Sequence, residues 1–308
     1  MTQPPNSRAT KRDRRDAARE KARLAREAEA RRRRRSKWLL QGGLVLGALA
    51  VVAVVVLVVV QVTRPSGPGP ANMASDGIVL QSDDAGGVEA VATAGIAAGG
   101  TPTPTEQDAD AAHVVVYQDY LCPFCGQFDR ANAEYLTGLV EQGTATLELH
   151  PISILDAQSQ GTRYATRAAN AAACVADDEP DAFLDVNTAL YAQQPEEGTS
   201  GLTDDELVEL VQGAGATEDS VATCIRDGEF TEWVGDATDR ALQGPLPDTD
   251  VAAVQGTPTV LVDGQQYPGS PGDAAAFRAF VEQVTGSASG DEATVDPAEP
   301  TEESTPEG

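Results

Sequence analysis

Apolar residues along the chain form one long uninterrupted run and several shorter periodic segments. The long run, Trp38–Val62, contains 25 residues without a single charged side chain. At about 1.5 Å of rise per residue, a helix of this length would cross the roughly 30 Å apolar core of a bilayer. The run therefore predicts one transmembrane helix at residues 38–62.

Between residues 111 and 285 the pattern changes repeatedly between the periods of strands and helices. Strand-like segments occupy 113–120, 144–152 and 258–267, the last divided by an Asp263-Gly264 turn. Helical segments occupy 122–142, much of the stretch from about 161 to 243, and about 273–284. The first helix has four apolar residues on its predicted buried side: Phe124, Phe128, Leu136 and Leu139. The order strand–helix–strand predicts a parallel pair of strands, and the hairpin at 258–267 adds antiparallel strands. Together these elements indicate an α/β fold that is interrupted by a helical block.

The remaining segments have the composition of connections and tails. Residues 63–110 form a predicted linker, rich in Pro and Gly at both ends, with one or two possible short strands at 77–98. Residues 286–308 contain almost no apolar side chains, so they cannot offset the entropy cost of ordering and are predicted to be disordered. One folded domain is therefore expected at 111–285.

Charge is distributed very unevenly along the sequence. Fifteen of the 22 Lys and Arg residues lie within residues 1–37, whereas 43 of the 48 Asp and Glu residues follow Lys37. The bias of basic residues toward the cytoplasmic side of a membrane helix places the N-terminus in the cytoplasm and residues 63–308 outside. The basic tail then faces lipid headgroups and sets the topology. A cleaved signal peptide is the alternative, but its apolar core would be shorter and would end at a small-residue cleavage site.

The acidic character of the outer part also limits the classes of partner. From Trp38 onward only seven basic residues accompany the 43 acidic ones, and none of the seven is a lysine. Binding to nucleic acid needs a basic face for phosphate contacts, so no nucleic-acid partner is expected.

Two of the four cysteines stand close together where a strand-like segment meets a helical one. Cys122 and Cys125 enclose Pro123 and Phe124 at this junction. A thiolate at a helix N-terminus is stabilised by unpaired backbone N–H groups and by the helix dipole, which lowers its pKa. The spacing also lets the second sulfur close a disulfide or resolve a mixed one, so the motif predicts redox chemistry. Half of a zinc site is the alternative, but the other cysteines and the two histidines offer no matching half, and no metal is expected.

The other two cysteines, Cys174 and Cys224, lie far apart within the helical block. In an oxidising, extracytoplasmic compartment such a pair is expected to form a structural disulfide. Two free buried thiols are the alternative. The two histidines, His113 and His150, lie at the ends of predicted strands and are interpreted as structural.

Together these motifs resemble the DsbA-type branch of the thioredoxin superfamily, and in particular the membrane-anchored DsbA-like proteins of actinobacteria. The resemblance rests on Tyr-Gln-Asp-Tyr-Leu-Cys-Pro-Phe-Cys at 117–125, the helical block, and Gly-Thr-Pro-Thr-Val-Leu-Val-Asp-Gly at 256–264. It covers about residues 111–285 and implies a thioredoxin fold with a helical domain inserted at about 155–245. The pair Cys174–Cys224 matches the extra disulfide that such relatives carry in this insertion.

The resemblance also implies roles for individual residues. Cys122 would be the exposed nucleophile, and Cys125 would be the buried resolving cysteine. Pro258 would be a cis-proline that faces the disulfide, and Thr257 would offer its backbone to a substrate strand.

Two positions depart from the pattern of these relatives. Many of them carry a buried acid six residues before the first cysteine, where this chain has Val116. Asp119 is the nearest acid, and we interpret it as a local cap or salt-bridge partner. Phe124 stands where the best-known oxidase has histidine, so part of the electrostatic stabilisation of the thiolate is missing. A less oxidising reduction potential is therefore expected.

The sequence thus predicts a single-pass protein of the cell membrane whose extracytoplasmic domain introduces or exchanges disulfides in secreted proteins through Cys122 and Cys125. No cofactor is expected. The implied partners are thiol-containing secreted substrates, membrane lipid, and a membrane reoxidase of the DsbB or vitamin K epoxide reductase type. Two alternatives stay open: a reductase or isomerase of the same fold, and a non-catalytic binding module in which the two cysteines are only a staple.

Overall fold

The computed structural model describes residues 15–16, 18–27, 29, 31–32, 50–56, 67–83, 85–106 and 111–288. The chain divides into two compact units, Met1–Arg64 and Pro65–Gly308. In the first unit the described residues are helical, including 50–56 within the predicted transmembrane segment, and the rest of that segment lies outside the described residues. Among the described residues, no helix combines the length and the apolar character needed to cross a membrane. The acidic tail after residue 288 also lies outside the described part.

A six-stranded sheet with the order β2-β1-β4-β3-β5-β6 forms the centre of the second unit. Its strands are β1 (Ile78–Ser82), β2 (Val88–Ala90), β3 (Ala112–Gln118), β4 (Ala145–Pro151), β5 (Thr259–Val262) and β6 (Gln265–Gln266). Strands β3 and β4 are parallel, and the other neighbouring pairs are antiparallel. Helix α1 (Pro123–Glu141) connects the parallel pair, which confirms the predicted strand–helix–strand unit.

Within the continuous stretch 111–288, five helices are inserted between β4 and β5. They are α2 (Tyr164–Asp178), α3 (Phe183–Ala192), α4 (Asp204–Gly213), α5 (Asp219–Asp227) and α6 (Thr231–Gln243). A last helix, α7 (Ala274–Ala288), follows the hairpin of β5 and β6. The predicted helical block is therefore confirmed as five separate helices that leave the sheet after β4 and return to it at β5.

Helix α2 lies at the centre of this insertion because small side chains cover most of its surface. Twelve of its 15 residues are buried, and seven of those twelve are alanines. Its Cys174 forms a disulfide with Cys224 of α5, across 50 residues of sequence. Short side chains let the neighbouring helices approach α2 closely, and the disulfide joins α2 covalently to one of these neighbours, α5.

The residues before β3 pack against this domain, although their composition predicts a linker. Met73 is fully buried in the main core. Both carboxylate oxygens of Asp76 accept hydrogen bonds from the guanidinium of Arg240 in α6, at 2.6 and 2.7 Å. Strand β1 then pairs with β4 and extends the sheet. The possible short strands at 77–98 are confirmed as β1 and β2. The burial of Met73 and the ion pair of Asp76 produce no periodic signal and were not predicted.

Alternation along β3 divides its side chains between the two faces of the sheet. Val114 and Val116 lie in the main core, whereas Val115 and Tyr117 lie in a smaller core on the opposite face. Helix α1 begins only five residues after the end of β3, so its N-terminus lies at the carboxyl end of this central strand.

Candidate active site

The N-terminus of α1 carries the cysteine pair. Cys122 is the N-cap residue and has an extended backbone (φ −72°, ψ 117°). Pro123 follows in the first helical turn, where its missing N–H breaks no hydrogen bond. Cys125 lies in the same turn. Both cysteines have free thiols and both are buried. Cys122 is only 3% exposed, so the expectation that it is the exposed member of the pair is wrong.

The two thiols differ in acidity because their surroundings differ. A hydrogen bond from the Cys125 thiol, together with the backbone N–H groups of Cys125 and Phe124, lowers the pKa of Cys122 to about 6 against the opposing effect of burial. Burial and the hydrogen bond to Cys122 raise the pKa of Cys125 well above its ordinary value. Near neutral pH the pair therefore carries one negative charge, and that charge lies on Cys122.

A loop that is distant in sequence faces the cysteine pair. The Thr257–Pro258 peptide bond is cis, and the Cys122 Sγ donates a hydrogen bond to the carbonyl oxygen of Thr257 at 3.1 Å. Strand β5 begins directly after this loop and pairs with β3, where Thr259 stands opposite Tyr117. The sheet thus brings together two motifs that are 135 residues apart.

A buried acid lies beside the pair. Asp119 is fully buried, and its carboxylate accepts hydrogen bonds from the backbone N–H groups of Leu121 (2.8 Å) and Leu155 (2.9 Å). Its own backbone N–H lies 3.5 Å from the sulfur of Cys125. Burial raises the pKa of this carboxyl to about 7, and the charge of Cys122 adds to the effect. The predicted role of Asp119 as a local cap accounts for its hydrogen bond with the N–H of Leu121. Within 111–288 it forms no salt bridge with a cationic side chain. Its burial was not predicted.

A second group of polar residues connects the β3–α1 segment to α3, and it was not identified from the sequence. The Asn187 amide oxygen accepts hydrogen bonds from the Gln118 side chain and the Tyr120 hydroxyl. The Asn187 amide nitrogen in turn donates to Asp129 at 3.2 Å. Burial raises the pKa of Asp129 to about 6, although the neighbouring Arg130 lowers it. Asn187 belongs to α3, so this network joins the inserted helices to the segment that carries the cysteines.

Comparison with known proteins places this site in a family. A family model described as Thioredoxin matches residues 105–283, which is more than half of the chain. The chain belongs to the thioredoxin family. Among solved structures, it is similar to DsbA from Mycobacterium tuberculosis in its reduced form, at 30% sequence identity and a TM-score of 0.50. That likeness covers 68% of this chain and 93% of the mycobacterial one, so the protein is a DsbA-like member of the family.

Two further relatives show how widely this domain occurs. The MdbA protein of Corynebacterium diphtheriae, a thiol-disulfide oxidoreductase, is 20% identical over 72% of this chain and 95% of its own, with a TM-score of 0.50. At that identity the likeness concerns the fold alone. The serine/threonine-protein kinase PknE of Mycobacterium tuberculosis is 33% identical over 138 residues. These are 44% of this chain but only 23% of the kinase, so the chain spans less than a quarter of that relative.

The side chain of Phe124 is exposed to solvent, although the sequence predicts it on the apolar side of the helix. Phe124 was expected on the buried side of the first helix, but 56% of it is exposed. Cys125 and Gly126 of the same turn are buried, so helical periodicity alone does not indicate which positions of this turn are covered. An exposed aromatic ring therefore lies between Cys122 and Cys125 in the sequence.

The remaining candidate residues lie in other parts of the domain. The Cys174–Cys224 disulfide joins two helices of the insertion and includes neither residue of the redox pair. The two histidines converge on one buried acid: His113 Nε2 lies 2.8 Å and His150 Nε2 lies 3.0 Å from the carboxylate of Glu148. This cluster is on strands β3 and β4, and its contacts are consistent with the structural role predicted for both histidines.

Proposed function

We propose that this DsbA-like protein is an extracytoplasmic thiol:disulfide oxidoreductase that introduces or exchanges disulfides in secreted proteins. Its general class, an oxidoreductase acting on thiols and disulfides, follows from its family. The finer assignment rests chiefly on the geometry of the pair, in which Cys122 caps the N-terminus of α1 and faces the cis Thr257–Pro258 loop. The lowered pKa of Cys122 and the raised pKa of Cys125 support it. A pair that only stapled the chain together would not need one stabilised thiolate at a helix N-terminus.

The reaction begins with the Cys122–Cys125 disulfide. A substrate thiolate attacks the sulfur of Cys122, a mixed disulfide forms, and the bond to Cys125 breaks. Cys125 leaves with the electron pair and takes up a proton, because its raised pKa favours the thiol. Cys122 is the position of attack since the loop of Thr257 faces its sulfur, whereas Cys125 lies deeper in the turn.

The second step releases the product. Another substrate thiolate attacks the substrate sulfur of the mixed disulfide, and Cys122 leaves as a thiolate. Its lowered pKa makes it a good leaving group, so two electrons pass from two substrate thiols to the pair. A membrane reoxidase of the DsbB or vitamin K epoxide reductase type is proposed to accept these electrons and restore the disulfide.

Two features around the pair support binding of an extended substrate segment. The carbonyl oxygen of Thr257 accepts a hydrogen bond from the Cys122 thiol. Neither the disulfide nor the thiolate form of Cys122 has a proton on this sulfur, so in both forms the carbonyl is available to a substrate N–H. The exposed ring of Phe124 offers apolar contact beside it.

The proposed location outside the cytoplasm is supported by charge and by cysteine usage. The arginine-rich segment precedes the apolar run Trp38–Val62, which is the orientation of a helix with a cytoplasmic N-terminus. Structural disulfides such as Cys174–Cys224 form and persist chiefly in oxidising compartments outside the cytoplasm. We therefore propose a single-pass membrane anchor and an extracytoplasmic catalytic domain.

An oxidative refolding assay tests the proposed activity. The full chain in detergent should restore activity to a reduced, unfolded disulfide protein, and the Cys122→Ser variant should not. As a control, both proteins should have the same urea midpoint in the reduced state. Retained turnover by Cys122→Ser contradicts the mechanism. Slow alkylation of the reduced wild type at Cys122 under native conditions would favour a binding module with a structural cysteine pair.

A reductase or isomerase is the second candidate, and the uncharged Phe124 favours it. Without an imidazole beside Cys122, the reduced form lacks one source of stabilisation, which makes the disulfide less oxidising. Equilibration of the full chain in glutathione buffers separates the two directions. A potential of about −120 to −180 mV supports a disulfide donor, whereas a value near about −270 mV supports a reductase.

A further inference from the structure

A side chain from the helical insertion lies on the backbone of the cysteine loop. Gln194 follows the end of α3, and its amide nitrogen donates hydrogen bonds to the carbonyl oxygens of Tyr120 (3.0 Å) and Cys122 (2.8 Å). A primary amide carries two N–H groups on one nitrogen, so this single side chain uses both on the active-site segment. The residues involved are more than 70 positions apart in sequence.

The amide oxygen of the same side chain packs against the first turn of α1. A Cβ atom added to Gly126 would stand 2.3 Å from Gln194 Oε1 and 2.9 Å from Arg130 Nη1. The first distance is too short for any non-bonded contact, so an alanine at this position would displace the amide of Gln194. Alanine would otherwise favour the helix at this position. Gly126 therefore leaves the space that the amide of Gln194 occupies.

The two carbonyls belong to the segment that directs the Cys122 sulfur. Cys122 is the N-cap of α1, and its carbonyl also accepts a helical hydrogen bond from the N–H of Gly126 at 3.2 Å. The backbone N–H groups of Phe124 and Cys125, which stabilise the Cys122 thiolate, lie in this same turn. Fixing the Tyr120–Leu121 and Cys122–Pro123 peptide groups, of which the second directly follows the Cα of Cys122, therefore fixes the orientation of the sulfur relative to these donors.

We propose that Gln194 is a positioning residue of the redox centre, which clamps the carbonyls of Tyr120 and Cys122 and thereby keeps the Cys122 sulfur aligned with the N-terminus of α1. It contacts the backbone of the reacting residue rather than a reacting atom, and it acts from the inserted helices rather than from the sheet. The inference deepens the proposed function, on which its catalytic meaning rests. Loss of the clamp destabilises the thiolate, so the reduced form becomes less favourable and the pair becomes a weaker oxidant.

The Gln194→Met variant removes both hydrogen bonds and nearly preserves the length of the side chain. In the full chain, we expect the midpoint of the pH profile for alkylation of Cys122 to rise. At pH 5, below both midpoints, the alkylation rate should fall about threefold. The reduction potential in glutathione buffers should become more negative, and kcat in the refolding assay should fall with little change in KM. Gln193→Met, at the exposed preceding position, is the matched control and should behave as wild type.

Glycine 126 provides an independent test of the same contact. Gly126→Ala should displace the amide and reproduce the shifted alkylation profile of Gln194→Met. In a Gln194→Ala background the colliding oxygen is absent and the exposed side chain of Arg130 can move aside, so adding Gly126→Ala should change the profile no further. This non-additivity distinguishes a clamp from two unrelated defects in the helix. Additive shifts in the double variant would overturn the proposal.

Two further outcomes are decisive. If Gln194→Met lowers the urea midpoint but leaves the alkylation profile and the potential unchanged, Gln194 is only structural and the proposal fails. If the wild type itself has no refolding activity, the proposed function fails, whereas the alkylation profile and the potential still decide whether Gln194 positions Cys122. The two hypotheses can therefore fail separately.

Discussion

The backbone N–H of Asp119 lies 3.5 Å from the sulfur of Cys125, and the carboxyl group of the same residue is fully buried beside the pair. Burial is the main reason that the pKa of this carboxyl rises to about 7, and the charge of Cys122 contributes to it. The disulfide form has no thiolate. The proton affinity of Asp119 is therefore coupled to the redox state of the cysteines.

Oxidation of the pair should lower the pKa of Asp119 from its value of about 7 in the reduced protein. The expected cause is the loss of the negative charge on Cys122, since burial is the same in both states. Carboxyl ¹³C chemical shifts, followed against pH in the reduced and oxidised protein, measure the change. Asp129 is the control, because its pKa of about 6 is set by burial and by Arg130. Equal Asp119 values in the two states would contradict the coupling.

The acidity of Cys122 should depend strongly on its partner cysteine. The hydrogen bond from Cys125 is the largest cause of the lowered pKa of Cys122, so Cys125→Ala should raise that pKa above about 6. The backbone N–H groups of α1 remain, so the value should stay below that of an ordinary thiol, about 8.5. Thiolate absorbance at 240 nm against pH measures both proteins. An unchanged midpoint would assign the stabilisation to the helix N-terminus alone.

The Cys174–Cys224 disulfide should stabilise the insertion without affecting the redox pair. It closes a loop of 50 residues. The double variant Cys174→Ala/Cys224→Ala should therefore lower the free energy of unfolding by about 2–4 kcal/mol, since the unfolded chain gains freedom. Urea unfolding measures the loss, and the pH profile for alkylation of Cys122 serves as the control. A changed alkylation profile would mean that α2 and α5 help to shape the active site.

Much of the fold and the redox motif could be predicted because their signals are local. The period of the apolar residues predicts the order of strands and helices. The pair Cys122 and Cys125 can be recognised from its two-residue spacing at a strand–helix junction. Phe124 shows the limit of this reasoning. The helical period placed its ring on the apolar side of α1, but burial in the first turn depends on which positions other elements cover, and Phe124 is 56% exposed while Cys125 and Gly126 are buried.

The residues that the sequence did not reveal gain their roles from distant partners. Asp119 is buried because the segment after β4, at Leu155, supplies a second N–H donor to its carboxylate. Gln194 matters because α3 ends over the cysteine loop. Alternation in β4 normally indicates a half-exposed strand, yet all seven of its residues are buried. Contacts between distant segments leave no periodic signal in the sequence, so they can be identified only in the folded structure.

Glu148 of β4 is a buried acid whose ionised form is stabilised by three neighbouring side chains. The carboxylate of Glu148 accepts a hydrogen bond from the Ser75 hydroxyl and contacts the imidazoles of His113 and His150. Burial alone would raise its pKa, but the electrostatic interaction with His150 and the hydrogen bonds from both histidines and Ser75 outweigh burial and hold the pKa well below its usual range. The cluster ties β3, β4 and the segment before β1 together.

This cluster should make stability sensitive to acid. Because the pKa of Glu148 is lower in the folded state than in the unfolded state, its ionisation contributes stability that is fully present above the unfolded value of about 4.3 and is lost as the pH falls toward the folded value. Glu148→Gln should lower the free energy of unfolding by about 3 kcal/mol at pH 7, since it leaves a buried charge cluster incomplete. The difference from wild type should shrink as the pH falls below about 4. Urea unfolding between pH 3 and about pH 7 measures both proteins, with Glu134→Gln at an exposed position of α1 as the matched control. A difference that stays constant across this range would show that Glu148 acts through packing rather than through its charge.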